Sequence, residues 1–446
     1  MSDLSRRDLI KMTGLAAAGM AAVAEVRPRP ADAALAGPVV QLDPSADLPK
    51  AAGTRLVVLG GGTSGLTIAK YAKLENPKFD VVLVEKRDMY ASCFSSNLWY
   101  ADVIGLEFLA DHSFLDAAKN NNYTYFNATA IGLDRAARKL YTSRGSIAYD
   151  YLVVAPGIDY DYSRIGVKDP ETECSLRRNF PGGFTMSTEH VTIRRKVHAF
   201  EGGVFVQTVP SGNYRCLPAP YERACMIAAY FKKNNVKGKV VILDFNPDVT
   251  IKAKGFHAAF SELYPGIIEY KPSITISGVD PEKKVIKTEF ESFPFDDAAI
   301  YPGVRAAALV EQFGLMDPAS LQKEAHIDPY MYNVIGDERV YVTGDSRPMP
   351  YSKSGNTSNS EGKYVAKILS ARAQGKDLQW TSPETLCFSM VSINPNEAIS
   401  VDARYAFDKQ KNSFEFADVK LFENRNAEMG RAALEWAKGL YRDMFE

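Results

Sequence analysis

The chain has almost no net charge: 53 Lys and Arg against 54 Asp and Glu give a formal value of −1. A polyanion-binding surface, and with it nucleic acid, is therefore not expected. No C-x-x-C-H occurs, so this chain carries no c-type haem of its own. The histidines, His112, His190, His198, His257 and His326, show no metal-ligand spacing, and no metal site is expected. Past the N-terminus there is no run of about 18 or more uncharged apolar residues, so no membrane-spanning helix is expected. Internal repeats are absent too, and low complexity is confined to the N-terminal region. Cysteine is sparse: Cys93, Cys174, Cys216, Cys225 and Cys387. What remains is ordinary for a soluble globular protein, 46% hydrophobic and 24% charged, and 446 residues suffice for two or three domains with cores.

The N-terminal residues read as targeting rather than fold. Ser5-Arg6-Arg7-Asp8-Leu9-Ile10-Lys11 has the form of a twin-arginine export signal, followed by an Ala/Gly-rich run from Met12 to Ala24. Ala31-Asp32-Ala33 offers a small-residue cleavage site, so the signal is assigned to residues 1–33 and a linker to 34–54. Export by this route carries proteins already folded around a cofactor, and it places the mature protein in the periplasm. In that oxidising compartment one disulfide is plausible, and an odd cysteine count leaves at least one thiol over.

Organised sequence begins at Arg55-Leu56-Val57-Val58-Leu59, a short apolar run that predicts a buried strand. Gly60-Gly61-Gly62-Thr63-Ser64-Gly65 follows, then a helical pattern to about Leu74 and a second strand, Phe79 to Glu85. This is G-x-G-x-x-G between strand and helix: Gly60, Gly62 and Gly65 lack the side chains that would keep a pyrophosphate from the backbone N–H groups, and Ser64 opens the helix. Glu85 lies at the end of the next strand, about 20 residues on, where a carboxylate accepts ribose hydroxyls. Two later segments point to FAD rather than NAD as the dinucleotide. One is Tyr149-Asp150-Tyr151-Leu152-Val153-Val154-Ala155-Pro156-Gly157, a strand and turn of the kind at which flavoproteins with two dinucleotide domains cross between them. The other is Val340-Tyr341-Val342-Thr343-Gly344-Asp345, similar to their second FAD signature, in which the aspartate takes the ribityl chain.

A second unit starts near Met186, with a helix to Phe200, a strand Val204–Val209, a helix Tyr221–Lys233 and a strand Val240–Leu243. Where a nicotinamide-binding relative would have another glycine loop, this chain reads Val209-Pro210-Ser211-Gly212-Asn213-Tyr214-Arg215-Cys216-Leu217-Pro218-Ala219-Pro220. Proline removes backbone donors and stiffens a loop, the opposite of a phosphate cradle. Electrons are therefore not expected to arrive from a nicotinamide.

Cys216-Leu217-Pro218-Ala219-Pro220-Tyr221-Glu222-Arg223-Ala224 resembles the cysteine loop of the flavocytochrome c sulfide dehydrogenase flavoproteins. So does Tyr90-Ala91-Ser92-Cys93-Phe94-Ser95-Ser96-Asn97, as do Met349-Pro350-Tyr351-Ser352-Lys353-Ser354-Gly355 and Thr385-Leu386-Cys387-Phe388-Ser389. The resemblance runs in order from about Arg55 to the C-terminus; Leu217, Ala219 and the stretch Val167–Phe184 depart from it. It implies that Cys216 and Cys387 form a redox-active disulfide over the flavin; which of the two is flavin-proximal is left open by the sequence, and Cys387 is taken as that sulfur. It implies that Cys93 anchors FAD through a thioether, with Asn97, Ala155, Gly157, Asp345 and Lys353 among the cofactor-binding residues. Glu222 is read either as a proton-handling group at the sulfurs or as a carboxylate favoured by its helix N-terminus. Lys353 is read either as a positive charge at the flavin's N1–O2 edge or as a solvated loop lysine. Cys225 reads as core filler, Cys174 as an exposed loop thiol.

The expected fold is α/β, with two Rossmann-like dinucleotide-binding domains in a glutathione-reductase-like arrangement and a small C-terminal α+β interface domain. The FAD domain is assigned to residues 55–165 and 297–381, the second domain to 166–296 and the interface domain to 382–446. The implied activity is FAD-dependent oxidation of sulfide, with electrons passed to a c-type cytochrome subunit on a separate chain. A sulfide:quinone oxidoreductase is the nearest alternative. From another class, the alternative is a non-catalytic FAD-binding partner in periplasmic sulfur oxidation. The final helix carries Met429, Ala433, Trp436, Leu440 and Met444 on one face, a stripe expected to be core or subunit contact.

Overall fold

Nearly continuous apolar runs such as Arg55–Leu59 and Tyr151–Val154 fit strands covered on both faces, the signature of a parallel sheet flanked by helices. The computed structural model describes residues 45–446 apart from 186, 379 and 412, so the export signal and most of the linker lie outside the described residues. In it those runs lie at the centre of a six-stranded sheet. Its order is Asn333–Val334, Asp337–Val342, Tyr151–Val154, Arg55–Leu59, Asp80–Glu85 and Thr124–Asn127, and every neighbouring pair but the first is parallel. The helix Thr63–Glu75 lies against the late helix Gly355–Gln374. Gly362 permits that approach, since a Cβ there would sit 3.0 Å from the Cβ of Thr67. The early and late parts of the chain thus build one domain.

The second sheet is also parallel, ordered Ile268–Lys271, Lys237–Asp244, Gly202–Val209 and Asp297–Ala299. The boundary read from sequence shifts here. Residues 297–299 were assigned to the first domain, yet they pair with Phe205–Gln207. A strand of three residues is too short to carry a periodic signal. Between the two early strands and Tyr151, Thr124–Asn127 joins the large parallel sheet, while Ala130–Asp134, Lys139–Thr142 and Gly145–Ala148 make a separate antiparallel meander.

The C-terminal region is an antiparallel sheet, Glu384–Ile393, Asn396–Asp408 and Ser413–Asn426, followed by the helix Ala427–Phe445. On that helix Ala433, Leu440 and Met444 are buried, with Ala437, Tyr441 and Phe445, so most of the stripe is core. The helix is tied to the first domain through Asp443, which accepts from Tyr71 Oη (2.6 Å) and Asn359 Nδ2 (2.7 Å) and pairs with Lys363 (3.0 Å). Among the described residues no helix is long and apolar enough to cross a membrane.

Candidate functional site

The glycine turn is built as its residue types require. Gly60 has φ 102°, and a Cβ on it would lie 2.4 Å from the Ala155 carbonyl oxygen. A Cβ on Gly65 would lie 1.9 Å from the Gly60 oxygen, so only glycine lets helix and strand meet. Over Gly62 a Cβ would meet nothing within 4 Å: the space above the turn is open. Ser64 binds Thr343 (Oγ to Oγ1, 2.9 Å), joining the first signature to the second. Glu85 accepts from the Gly61 amide (2.8 Å) and from Nε and Nη2 along one edge of the Arg87 guanidinium (2.8 and 3.0 Å). Burial opposes its charge, but those donors win and hold it below the usual carboxylate range. A ribose would share Glu85 with Arg87, whose side chain is 38% exposed and free to give way.

Ala155 is buried at the end of the third central strand, its amide bonded to Leu59 O (2.8 Å). Gly157 follows at φ 78°, its carbonyl accepting from Ala307 N (3.1 Å) and Ser346 Oγ (2.5 Å). Asp345 sits in a short 3-10 turn, buried, with Oδ2 paired to Arg215 and Oδ1 without any partner. A buried carboxylate oxygen lacking a donor is costly. A polyol hydroxyl would satisfy it, and with the open space above Gly62 this fits the residues present to an FAD.

Cys93 lies on the segment leading to the helix Ser96–Tyr100, with its carbonyl accepting from Ser96 Oγ (2.7 Å). Burial pushes its thiol pKa up, while Arg215 pulls it down; Asp345 and Arg223 are also within Coulombic reach. Asn97, expected on the cofactor, is committed elsewhere. Its amide nitrogen donates to Ala219 O (3.1 Å) and Glu222 Oε2 (2.7 Å), and its oxygen accepts from Arg223 Nε (3.1 Å). It is a bracket between the Cys93 helix and the cysteine loop.

Cys216 has φ 58°, its amide donating to Lys353 O (2.7 Å) and its carbonyl accepting from Ala219 N (2.9 Å) at the start of the helix Ala219–Lys233. Cys387 is buried on the strand Glu384–Ile393. The two thiols lie close enough to bias each other's ionisation, and Cys387 Sγ also donates to Phe388 O (3.5 Å). They are not equivalent. The mutual hydrogen bond, with burial, raises the Cys216 pKa well above the usual thiol value. That same bond lowers Cys387 to about 7, against burial and with help from the Lys252 ammonium. Cys93 also acts on Cys216 through its charge, so three thiols share one neighbourhood.

Glu222 stands in the first turn of its helix, but its oxygens turn inward, to Asn97 Nδ2 and, at 2.7 Å, to Met390 N. Burial raises its pKa despite those donors, and its charge is felt by both cysteines. Lys353 corrects one of its two sequence readings: it is 1% exposed, so not a solvated loop lysine. Its ammonium donates to Glu324 Oε1 (2.7 Å), Asp345 O (2.8 Å) and, more weakly, Arg347 O (3.4 Å).

Three cations at the site were not singled out by sequence. Arg215 reaches Asp345 and the Phe184 carbonyl. Arg223 is fully buried, bonded to Gly182 O (2.6 Å) and stacked over Phe184. Lys252 is 1% exposed and bonded to Ser389 Oγ (2.7 Å) and Cys387 O (3.3 Å). Adjacency to Cys216 was the one available signal for Arg215; Lys252 had none. Cys225 is buried in the core, and Cys174 is exposed on the helix Pro170–Asn179. At the carboxyl ends of the second sheet, the crevice beside Pro210, Ser211 and Phe245 holds about 20 Å³, space for about one water.

Three family descriptions match the chain. Residues 54–177 match pyridine nucleotide-disulphide oxidoreductase, 190–302 match sulfide dehydrogenase (flavocytochrome c) flavoprotein chain, central, and 382–445 match flavocytochrome c sulphide dehydrogenase, flavin-binding. Curated relatives include the mitochondrial sulfide:quinone oxidoreductase of Dictyostelium discoideum, 23% identical over 81% of this chain and 82% of that one. The type II NADH:quinone oxidoreductase of Staphylococcus haemolyticus is 23% identical over 75% and 87%. Among solved structures, the sulfide:quinone oxidoreductase of Aquifex aeolicus superposes with TM-score 0.72 at 16% identity, covering 88% of this chain and 92% of that one. At that identity the likeness is one of fold.

Proposed function

The chain belongs to the flavocytochrome c sulfide dehydrogenase flavoproteins, within the disulfide oxidoreductases, and on that premise we propose that it oxidises sulfide at Cys216 and Cys387 and delivers electrons through FAD to a c-type cytochrome on a separate chain. The observation that carries this is the meeting of two cysteines from distant parts of the chain, within Coulombic reach of Cys93 and beside Lys353 and Asp345. In its oxidised form the pair is a disulfide, an electrophile for hydrosulfide. Attack forms one sulfur–sulfur bond and breaks another: one cysteine becomes a persulfide and the other leaves as a thiolate. Burial raises the pKa of Glu222, and its carboxyl acts electrostatically on both sulfurs, which suits it to pass protons there. Bound FAD supplies a two-electron acceptor that can release its electrons singly. The open turn at Gly60–Gly65, Glu85 and the free Oδ1 of Asp345 would hold it, with Cys93 as its covalent anchor.

Stopped-flow mixing with sulfide tests this reading. The flavin band should bleach in the wild type and persist in Cys387→Ser; a wild-type flavin untouched at about millimolar sulfide would favour the non-catalytic partner role. Acid precipitation and peptide mapping should find flavin on Cys93. A second reading, delivery to quinone, is favoured by the names of the quinone-reducing relatives. Sulfide-driven reduction of a soluble quinone, but not of cytochrome c, would decide for it. The Ser5–Lys11 segment supports export by the twin-arginine route and a periplasmic site of action.

A further inference from the structure

Lys252 presents an unusual charge balance. It is the residue before the helix Ala253–Leu263, held at φ 59°, a conformation seldom adopted without reason by a long side chain. Its ammonium is buried, yet among the described residues no carboxylate lies within ion-pair distance of it. Two of its donors go to neutral acceptors, Ser389 Oγ and Cys387 O. A buried ammonium without a counter-ion is expensive unless a nearby group supplies negative charge at the moment it matters.

The groups facing it narrow the choice. Along the strand, Cys387 and Ser389 point to the same side, so the lysine that reaches Ser389 lies beside the Cys387 sulfur. From the helix Ala219–Lys233 comes Glu222, which is within Coulombic reach of Lys252 but makes no ion pair with it: its oxygens bond Asn97 and Met390, and burial opposes its charge. From the loop before that helix comes Cys216, the hydrogen-bond partner of Cys387. From its own helix comes only the ring of Phe256, 6.0 Å away. The unfilled anionic role belongs to Cys387.

We propose that Lys252 is the charge partner of the Cys387 sulfur, and that it thereby makes Cys387 the leaving thiolate and Cys216 the sulfur that hydrosulfide attacks. This rests on the sulfide-oxidising reading and adds its direction. The step balances: hydrosulfide and the Cys216–Cys387 disulfide give a persulfide on Cys216 and a thiolate on Cys387. The hydrosulfide sulfur is oxidised and the disulfide is the oxidant. A thiol of lower pKa leaves faster, so the cation aids the bond that breaks. Lys252 touches neither substrate nor cofactor in this scheme; it is a positioning residue.

The test uses reduced, FAD-loaded protein alkylated with iodoacetamide across a pH series, with Cys387 and Cys216 followed by peptide mapping. In Lys252→Met the Cys387 midpoint should rise by about 1 unit or more, while Lys252→Arg should stay with the wild type. Ser389→Ala, which keeps the lysine but loosens it, should shift the midpoint the same way by less, and serves if Lys252→Met does not fold. An unchanged midpoint in Lys252→Met, or in Ser389→Ala where only that variant folds, overturns the assignment. In oxidised protein treated with sulfide and trapped with the same reagent, the persulfide should map to Cys216; a persulfide on Cys387 overturns the direction. A wild-type flavin that sulfide fails to bleach defeats the functional reading alone, because the alkylation profile does not depend on sulfide.

Discussion

Lys353→Met separates two roles that a lysine beside a flavin could have. The side chain is 1% exposed and its partner Glu324 is 12% exposed. Removing one member of such a pair strands the other; the cost for a buried pair is about 3–5 kcal/mol. Glu324 keeps a bond from Ser320 Oγ (3.1 Å), which places the expectation near the lower end, about 3 kcal/mol. The carbonyls of Asp345 and Arg347 lose a donor as well, and the Lys353 backbone carries the amide of Cys216, so the damage should spread into the cysteine loop. For a chain of this size 3 kcal/mol amounts to a midpoint lower by about 4 °C. Thermal unfolding followed by near-UV circular dichroism measures this, and photoreduction against a reference dye measures the flavin potential. The double variant Lys353→Met/Glu324→Gln should recover part of the loss, because no charge is then left unpaired. A single variant with unchanged melting and a clearly lower flavin potential would refute the reasoning and place Lys353 at the flavin edge.

In reduced protein at pH 7, iodoacetamide should label Cys387 faster than Cys216, since the Cys387 thiol is pushed down to about 7 and the Cys216 thiol up; equal labelling would remove the asymmetry on which the direction of attack depends. Gly65→Ala puts a Cβ 1.9 Å from the Gly60 oxygen, so the turn must open; soluble protein without flavin, destabilised by about 3 kcal/mol, is expected, and retention of full flavin content would contradict it. Glu222→Gln tests a linkage. The folded carboxyl titrates above its unfolded value, so the native state binds more protons and the contribution of Glu222 to stability, fully present at low pH, is lost as pH rises through that window. The stability of wild type relative to the glutamine variant should therefore decline from acid towards neutral pH, and a flat difference in denaturant titrations would show that the carboxyl titrates normally.

The parts of this molecule that were legible from sequence are those where local geometry restricts residue type. Gly60 and Gly65 could be read because backbone oxygens stand where their side chains would be. The central strands could be read because burial on both faces leaves a continuous apolar run. What was not legible depends on partners far along the chain. Lys353 looks like any loop lysine until Glu324 is folded against it, and Asn97 looks available until Glu222 and Arg223 close on it. Asp297–Ala299 joined the wrong domain because its identity as a strand comes from Phe205–Gln207, not from its own composition. The sulfur pair lies between these cases. Spacing could never have joined Cys216 to Cys387; the resemblance of their surrounding loops did.

The same long-range pairing decides which of the site's cations keep a counter-ion. Arg215 and Lys353 have carboxylate partners, Asp345 and Glu324, and so add little net field. Arg223 is satisfied by carbonyl oxygens and Lys252 by a hydroxyl and a carbonyl, and among the described residues neither makes an ion pair. Glu222 lies within Coulombic reach of both, but burial opposes its charge, so it offsets them only in part. Interactions between buried charges are screened far less than at the surface, so the surplus acts on whatever enters. Hydrosulfide is an anion near neutral pH, and the thiolate it displaces is another. A carboxyl of raised pKa beside two buried cations can pass a proton while the cations hold the thiolate's charge. That division of labour requires Lys252 to stay without an ion-pair partner, and a carboxylate introduced at Ser389 should abolish it by supplying the missing counter-ion, raising the pKa of the Cys387 thiol.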